Sequence, residues 1–253
     1  NTSNPIQLPV DLARNLANLV SGIAYDDQQN IWLSTQGAGV LRIKEEDVLS
    51  RPGQPIPYDQ YLIANGLSHS HVMSIHAAGD GNIWFGYWNR GLGRINPKTK
   101  QVTNYTYVSD SSLNLGEHPI VNISAGQTPQ SLLVGTRGNG LLSMTYSSDK
   151  DELVLQHHFH NQEHDTGSLS SNYVNSVKLR KDGSIWLATE NGLNLAQGDR
   201  VRRISLNKSE VGASVCSLLE DGEGNLWLSS KGRIIRVNID GGEVQIKEFE
   251  DPN

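Results

Sequence analysis

The chain has 253 residues, 36% of them hydrophobic, with a formal net charge of −6 at pH 7 and one cysteine. Because the balance is acidic and no run of Lys or Arg occurs, nucleic acid and anionic membrane surfaces are excluded as expected partners. A single cysteine excludes an intrachain disulfide and a cysteine-based zinc site. Cys216 lies in the apolar run 215–219, which predicts a buried, inert thiol. No stretch approaches the length of a membrane span, so direct membrane insertion of this region is not expected.

A short tryptophan-centred phrase recurs along the chain and determines the order of the predicted elements. Its five copies are centred on Trp32, Trp84, Leu133, Trp186 and Trp227. The intervals between them are roughly 40–50 residues, a period that in a chain of strands is typical of propeller blades. Aromatic residues at fixed repeat positions are expected to be wedges buried between neighbouring blades.

In chain order, the first copy predicts strands near 19–25, 31–35, 39–43 and 57–63. The second copy is the clearest. It predicts a half-buried strand at 71–76, because apolar and polar residues alternate there, and a tight turn at Asp80-Gly81. A strand covered on both faces follows at 83–86, then a third strand at 92–95 and an outer strand at 102–108.

Four antiparallel strands per repeat form a propeller blade, so the sequence predicts an all-β propeller with five visible blades. The predicted blades span residues 16–63, 64–108, 109–160, 161–206 and 207–250 of a single region, 1–253, with an N-terminal extension at 1–15.

The repeats resemble the two-component regulator propeller repeats of the extracytoplasmic sensor regions of bacterial hybrid histidine kinases and related signalling proteins. The resemblance rests on Asn65-Gly66-Leu67-Ser68 leading into Trp84, and on 167–177 leading into Trp186. It implies a fragment of a seven-bladed or larger sensor, located in the periplasm and joined to a downstream signalling domain in the same protein. It also implies a small-molecule or oligosaccharide ligand. Open blade faces at the ends of the fragment favour a homo-oligomer, most simply a dimer.

Ligands of propellers usually bind where the loops between second and third strands and the loops entering each blade meet at one mouth of the channel. The cluster of Trp88, Asn89 and Arg90 is the most suggestive there, since a ring face beside planar donors suits a sugar or a small anion. The predicted ligand-binding residues are Trp88, Asn89, Arg90, Arg137, Asn139, Glu190, His71 and Tyr173.

No catalytic residue, metal site or cofactor is predicted, because no established catalytic motif occurs. His158 and His160 would share one face of a strand, but a solvated outer edge is the preferred interpretation of that segment. The leading hypothesis is therefore a non-enzymatic ligand-sensing propeller. Two alternatives stay open: a carbohydrate lyase or hydrolase using His71 or His118 with Glu190, and a propeller that only binds proteins.

Overall fold

The computed structural model describes residues 19–51, 54–109, 111–206, 213–230, 232–240 and 243–249, so the predicted N-terminal extension, 1–15, lies outside the described residues. The described chain folds into five four-stranded antiparallel sheets, each built from strands that are consecutive in sequence. The prediction of an all-β propeller with five visible blades is therefore confirmed.

The blades are numbered one to five in chain order, and their strands run from the inner edge outward. Blade one contains β1 (Val20–Tyr25), β2 (Asn30–Thr35), β3 (Val40–Lys44) and β4 (Asp59–Tyr61). Blade two contains β5 (Val72–Ala77), β6 (Ile83–Tyr87), β7 (Leu92–Ile95) and β8 (Val102–Tyr105). Blade three contains β9 (Ile120–Ala125), β10 (Ser131–Thr136), β11 (Leu141–Ser147) and β12 (Glu152–Phe159). Blade four contains β13 (Val174–Leu179), β14 (Ile185–Thr189), β15 (Gly192–Gln197) and β16 (Arg200–Ile204). Blade five contains β17 (Ser217–Glu220), β18 (Leu226–Ser230), β19 (Arg233–Asp240) and β20 (Glu243–Phe249).

In blades one, two and four, the tryptophan at the centre of the repeated phrase packs against the blade that follows. Trp32 of blade one is completely buried against Ile83 and Phe85 of blade two. Trp84 and Trp186 are buried in the same way against blades three and five. A buried tryptophan removes roughly 150–250 Å² from water, which stabilises each blade contact by about 4–6 kcal/mol at ~25 cal/mol per Å². The wedges predicted from the repeat hold neighbouring blades together at these three positions.

A short helix that the repeat does not predict covers the outward face of blade one. Helix α1 (Glu45–Ser50) follows β3, and Val48 of this helix packs with Ile56 on the face that carries Leu33 and Leu41. A one-turn 3₁₀ helix, Ile63–Asn65, follows β4. The insertion therefore shields the outer half of a face that has no preceding blade among the described residues.

Apolar side chains remain exposed on the two terminal faces of the blade series. Ile23 of blade one is 69% exposed, and Leu219 of blade five is 68% exposed. Successive inner strands pack side by side from β1 to β17, whereas β17 and β1 show no comparable packing among the described residues. Trp227 is only half-buried, so its predicted role as a wedge is wrong here. The reason is that no blade follows it in the described part of the chain.

Candidate functional site

The five blades converge on one cavity at the centre of the propeller. Its volume is about 360 Å³, within the usual range for small-molecule sites. All five blades contribute to its wall through Ser21, Gln36, Met73, Val121, Arg137, Asn175, Glu190, Ser214 and Cys216. We call this cavity the mouth cavity, because three of these residues follow second strands at the loop end of the channel.

A β-bulge at the start of the inner strand directs one side chain of each of the first four blades into the mouth cavity. The pairing with the second strand slips by one residue in β1, β5, β9 and β13. The extra residues are Ser21, Met73, Val121 and Asn175, and each of them lines the cavity. Bulges re-aim side chains in this way, and they concentrate at the rims of β-structures. Cys216 takes the corresponding place in blade five, immediately before β17.

The loops between second and third strands are held by a threonine at the end of the second strand. Thr136 Oγ1 donates a hydrogen bond to the Gly140 carbonyl at 2.9 Å and accepts one from the Asn139 amide at 2.9 Å. Thr35 makes the same two contacts in blade one, and Thr189 makes them in blade four with a longer amide contact. Such hydrogen bonds from a side chain to the nearby backbone fix the conformation of a turn without involving the other side chains of that turn. The backbone therefore positions the residue after each threonine, and the side chain of that residue stays available for a ligand.

The two charged residues of the mouth cavity occupy this position. Arg137 follows Thr136, Glu190 follows Thr189, and both side chains are exposed. Neither side chain has a hydrogen-bond or ion-pair partner in the described part of the structure. Gln36, the equivalent residue of blade one, adds an amide to the same wall. The cavity thus presents one cation, one anion and neutral polar groups beside the apolar side chains of two bulges, which suits a polar ligand with several hydrogen-bonding groups.

His71, Tyr173 and Trp88, which were predicted as ligand-binding residues, lie on the rim and do not line the cavity. The backbone of His71 pairs with Gln36, and the backbone of Tyr173 pairs with Arg137. The Trp88 amide donates to the His71 carbonyl at 3.4 Å, and the Trp88 ring is 47% exposed. These backbone contacts place the three side chains within the loop layer around the opening. Their role in binding remains a prediction.

Asn89, Arg90 and Asn139 also lie outside the cavity wall. Asn89 and Arg90 are exposed in a loop that has no threonine, because Tyr87 replaces it and its hydroxyl donates instead to Asn104 Oδ1 at 2.7 Å. The Asn139 carbonyl contacts His158 Nε2 at 2.9 Å. The predicted set therefore divides in two, with Arg137 and Glu190 in the cavity and the other six residues around or behind it.

The sequence pattern does not indicate the bulge residues, and it predicts the wrong burial for Cys216. The thiol is exposed and lines the mouth cavity, so the predicted burial of this thiol is wrong. An apolar run such as 215–219 does not reveal which residue a bulge turns toward the channel. An alignment of the five copies indicates the bulge positions, because the residue directly after Val72 or Val174 stands at the bulge each time.

Among the described residues, no histidine lines the mouth cavity, so the pairing of His71 or His118 with Glu190 is not assembled there. Burial lowers the pKa of His158. The charge of His160 also lowers this pKa, whereas the contact with the Asn139 carbonyl raises it.

No group of three or more His, Cys, Asp or Glu side chains suited to a metal ion occurs among the described residues. Within the same residues, no helix has the length and apolar character to cross a membrane.

Known proteins similar to this chain include parts of two component systems. Residues 168–191 match the model of the Two component regulator propeller family. A histidine kinase of Formosa agariphila is 26% identical over 191 residues, which is 75% of this chain and 14% of the kinase. The extracellular domain of the hybrid two component system BT4673 of B. thetaiotaomicron superposes with a TM-score of 0.70 at 18% identity. That match covers 92% of this chain and 31% of the domain. The chain therefore spans less than a third of each of these two relatives.

The same fold occurs in an enzyme. Virginiamycin B lyase from Staphylococcus aureus superposes with a TM-score of 0.66 at 16% identity, over 95% of this chain and 72% of the lyase. At such identities a structural match shows only the fold. The family-model match covers residues 168–191, one repeat of the chain. The chain is a β-propeller region of which residues 168–191 are similar to the two component regulator propeller repeat.

Proposed function

We propose that this chain is the ligand-sensing propeller region of a periplasmic, membrane-anchored two-component signalling protein, and that it binds a small molecule or oligosaccharide in the mouth cavity. The observation that carries the proposal is the convergence of all five blades on a cavity where Arg137 and Glu190 lack protein partners within the described structure. The histidine kinase relative supports a downstream signalling domain in the same protein. The exposed faces around Ile23 and Leu219 support self-association as a route by which binding is transmitted.

The test is a thermal-unfolding screen of the purified chain against neutral and acidic mono- to tetrasaccharides, with turnover followed by product analysis. A ligand present at 100 times its Kd stabilises the native state by about 2.7 kcal/mol. We expect stabilisation without turnover, weakened about tenfold in Kd by Arg137→Gln or Glu190→Gln, since each hydrogen bond to a charged group contributes about 1.5–3 kcal/mol.

The matched controls are Lys98→Gln and Asp149→Asn, which remove exposed charges that make no side-chain contact within the described structure and lie outside the mouth cavity. They should leave the Kd unchanged. A bound ligand whose affinity is insensitive to Arg137→Gln and Glu190→Gln would move the site elsewhere. Turnover that either substitution abolishes would favour the lyase or hydrolase alternative and end the sensor proposal.

A further inference from the structure

A second cavity, of about 1060 Å³, lies between blades four and five at the end of the sheets opposite the mouth. It is lined by the turns that join first to second strands, at 181–184 and 221–224, and by the outer hairpin of blade four, at 195–202. First-to-second turns and second-to-third loops lie at opposite ends of an antiparallel blade. This basic cleft, as we call it for its arginine wall, is therefore separate from the mouth cavity.

The blade-four wall of the basic cleft carries a cation on its outer strand, whereas the corresponding cation of blade one lies on the third strand. In blade one the third-strand Arg42 lies over the Trp32 ring and pairs with Asp59 of the outer strand at 2.7 Å. In blade four the equivalent third-strand residue is Leu195, and Arg202 is its partner on the outer strand. The cation thus stands where blade one has the neutralising carboxylate.

Three cations of this wall have no acceptor among the described residues. Arg200 and Arg202 lie two residues apart on β16, so their side chains leave the same face of the strand, and Lys181 lies on the neighbouring turn. All three side chains are exposed. In blade two, by contrast, Arg94 pairs with Asp151 at 2.8 Å. The arrangement leaves two guanidinium forks and an ammonium group open to the cleft.

The blade-five wall carries carboxylates that the protein already holds in place. Glu220 pairs with Arg180 at 3.0 Å and with Lys178 at 3.3 Å. Asp221 accepts a hydrogen bond from the Trp227 indole at 2.7 Å. A carboxylate has about four lone-pair positions. Four protein donors fill those of Asp221, whereas Glu220 keeps acceptor positions for a ligand hydroxyl. The cleft is consequently two-sided, with free cationic donors on one wall and fixed acceptors on the other.

The propeller fold does not require a cleft of this character. The corresponding cavity between blades one and two measures about 210 Å³, and the one between blades three and four about 280 Å³. Neither has a Lys or Arg among its described lining residues. In blade one, the Trp32 indole donates a hydrogen bond at 2.7 Å to Asp26 in the turn between the first and second strands. Blade four lacks the equivalent bond, since Asp182 accepts a hydrogen bond from Ser184 instead. The gap and its charge are features of this pair of blades.

We propose that the basic cleft binds a hydroxylated organic anion, such as a sugar acid. Its carboxylate would be held by Arg200 and Arg202, and its hydroxyls would donate to Glu220 of the blade-five wall. Arg forks match a carboxylate in two parallel hydrogen bonds, which selects this anion by shape as well as charge. The volume accommodates more than one sugar ring. This site is independent of ligand binding in the mouth cavity.

The test titrates the full chain with D-glucuronate, D-glucose and acetate at constant ionic strength, following the arginine side-chain N–H signals by NMR. Glucose has the hydroxyls without the carboxylate, and acetate has the carboxylate without the hydroxyls. We expect glucuronate to bind at least tenfold more tightly than either. The double substitution Arg200→Gln, Arg202→Gln should weaken it at least tenfold, whereas Lys98→Gln should change it less than twofold.

Three results would overturn the proposal. They are the absence of glucuronate binding to the unmodified chain, equal binding of glucuronate and acetate, and binding that survives the double substitution. Arg137→Gln, which alters the mouth cavity, should leave glucuronate binding unchanged. A loss of binding with that variant would be a fourth result against the basic cleft, because it would place the anion at the mouth. Circular dichroism of each variant confirms that the fold is retained.

Discussion

Asp151→Asn should destabilise the contact between blades two and three. One oxygen of Asp151 accepts hydrogen bonds from the hydroxyls of Tyr105 at 2.5 Å and Tyr146 at 2.9 Å, and it pairs with Arg94 at 2.8 Å. The Arg94 guanidinium lies over the Tyr146 ring, 4.6 Å from its centroid. One carboxylate oxygen thus joins the outer strand of blade two to the third strand of blade three.

The size of the effect follows from what asparagine keeps and what it loses. Asparagine tolerates positive φ, and φ at Asp151 is 53°, so the substitution adds no new backbone strain. The amide oxygen still accepts one hydroxyl, but the ion pair and the charge-assisted bonds are lost, at about 1.5–3 kcal/mol each in a buried site. The Asp151 side chain is 47% exposed, so solvent screening reduces this sum. We expect a loss of about 2 kcal/mol in the free energy of unfolding.

The assay is thermal and urea unfolding of the full chain at pH 7. A loss of that size lowers the Tm of a chain of this length by about 4–8 °C. Asp149→Asn is the control, because Asp149 is exposed and makes no side-chain contact within the described structure. Equal stability of the two variants, within about 0.5 kcal/mol, would refute the reasoning.

The same comparison has a pH signature. Partial burial raises the pKa of Asp151, but the hydrogen bonds from Tyr105 and Tyr146 and the charge of Arg94 outweigh it, so the pKa is lowered overall. A lowered pKa means that the contribution is fully present above the unfolded value near ~3.9 and is lost as pH falls through the folded value. The stability gap between wild type and Asp151→Asn should be constant from about pH 5 to 8 and should close below about pH 4.

Three further predictions concern the blades themselves. Trp32→Ala should lower the free energy of unfolding by about 3–5 kcal/mol, measured by chemical unfolding, and Trp227→Ala should lower it clearly less, since only the Trp32 ring is completely buried. Equal losses would contradict the assignment of the wedges. Gly140→Ala should cost at least about 2 kcal/mol, because φ is +72° and a Cβ would lie 2.1 Å from a backbone oxygen. Gly198→Ala, with φ of +58° and open space around it, should lose only the smaller conformational part, and a thermal-shift assay compares the two. The hydrogen bond from Trp227 lowers the pKa of Asp221 to about 2. In acid-unfolding curves, the stability of Asp221→Asn should therefore differ from that of wild type above about pH 4, and the two should converge toward pH 2.

The blade architecture could be predicted from the sequence because each blade repeats the same physical problem. A strand covered on both faces must be apolar, and Ile83 to Gly86 reads that way in the phrase around Trp84. The turn before it needs a residue that accepts backbone donors, and Asp80 accepts the Asn82 amide at 3.0 Å. Local pattern and blade packing agree at these positions, so the fold follows from them.

The site was less accessible to prediction, because side-chain direction there depends on a one-residue slip in strand pairing. Alternation alone does not show that Met73 or Asn175 enters the channel, since a bulge reverses the face of a single residue. Cys216 takes the corresponding place in blade five, immediately before β17, and its exposure could not be predicted from the apolar run either. Trp227 was misjudged because its burial depends on a neighbouring blade rather than on its own strand. The location of Arg137 and Glu190 at the cavity could be predicted, because position after the second strand fixes it regardless of the bulge, and their role in binding remains a prediction.

The most direct test of the mouth cavity as the ligand site uses the single thiol as a reporter. Cys216 is the one cysteine of the sequence, and it is exposed within the wall of that cavity. The rate of N-ethylmaleimide addition is measured with and without a saturating ligand identified in the stabilisation screen. We predict at least a tenfold slower rate in the presence of the ligand, and no change with glucuronate when it occupies only the basic cleft. An unchanged rate with a ligand that demonstrably binds would contradict the mouth-cavity assignment.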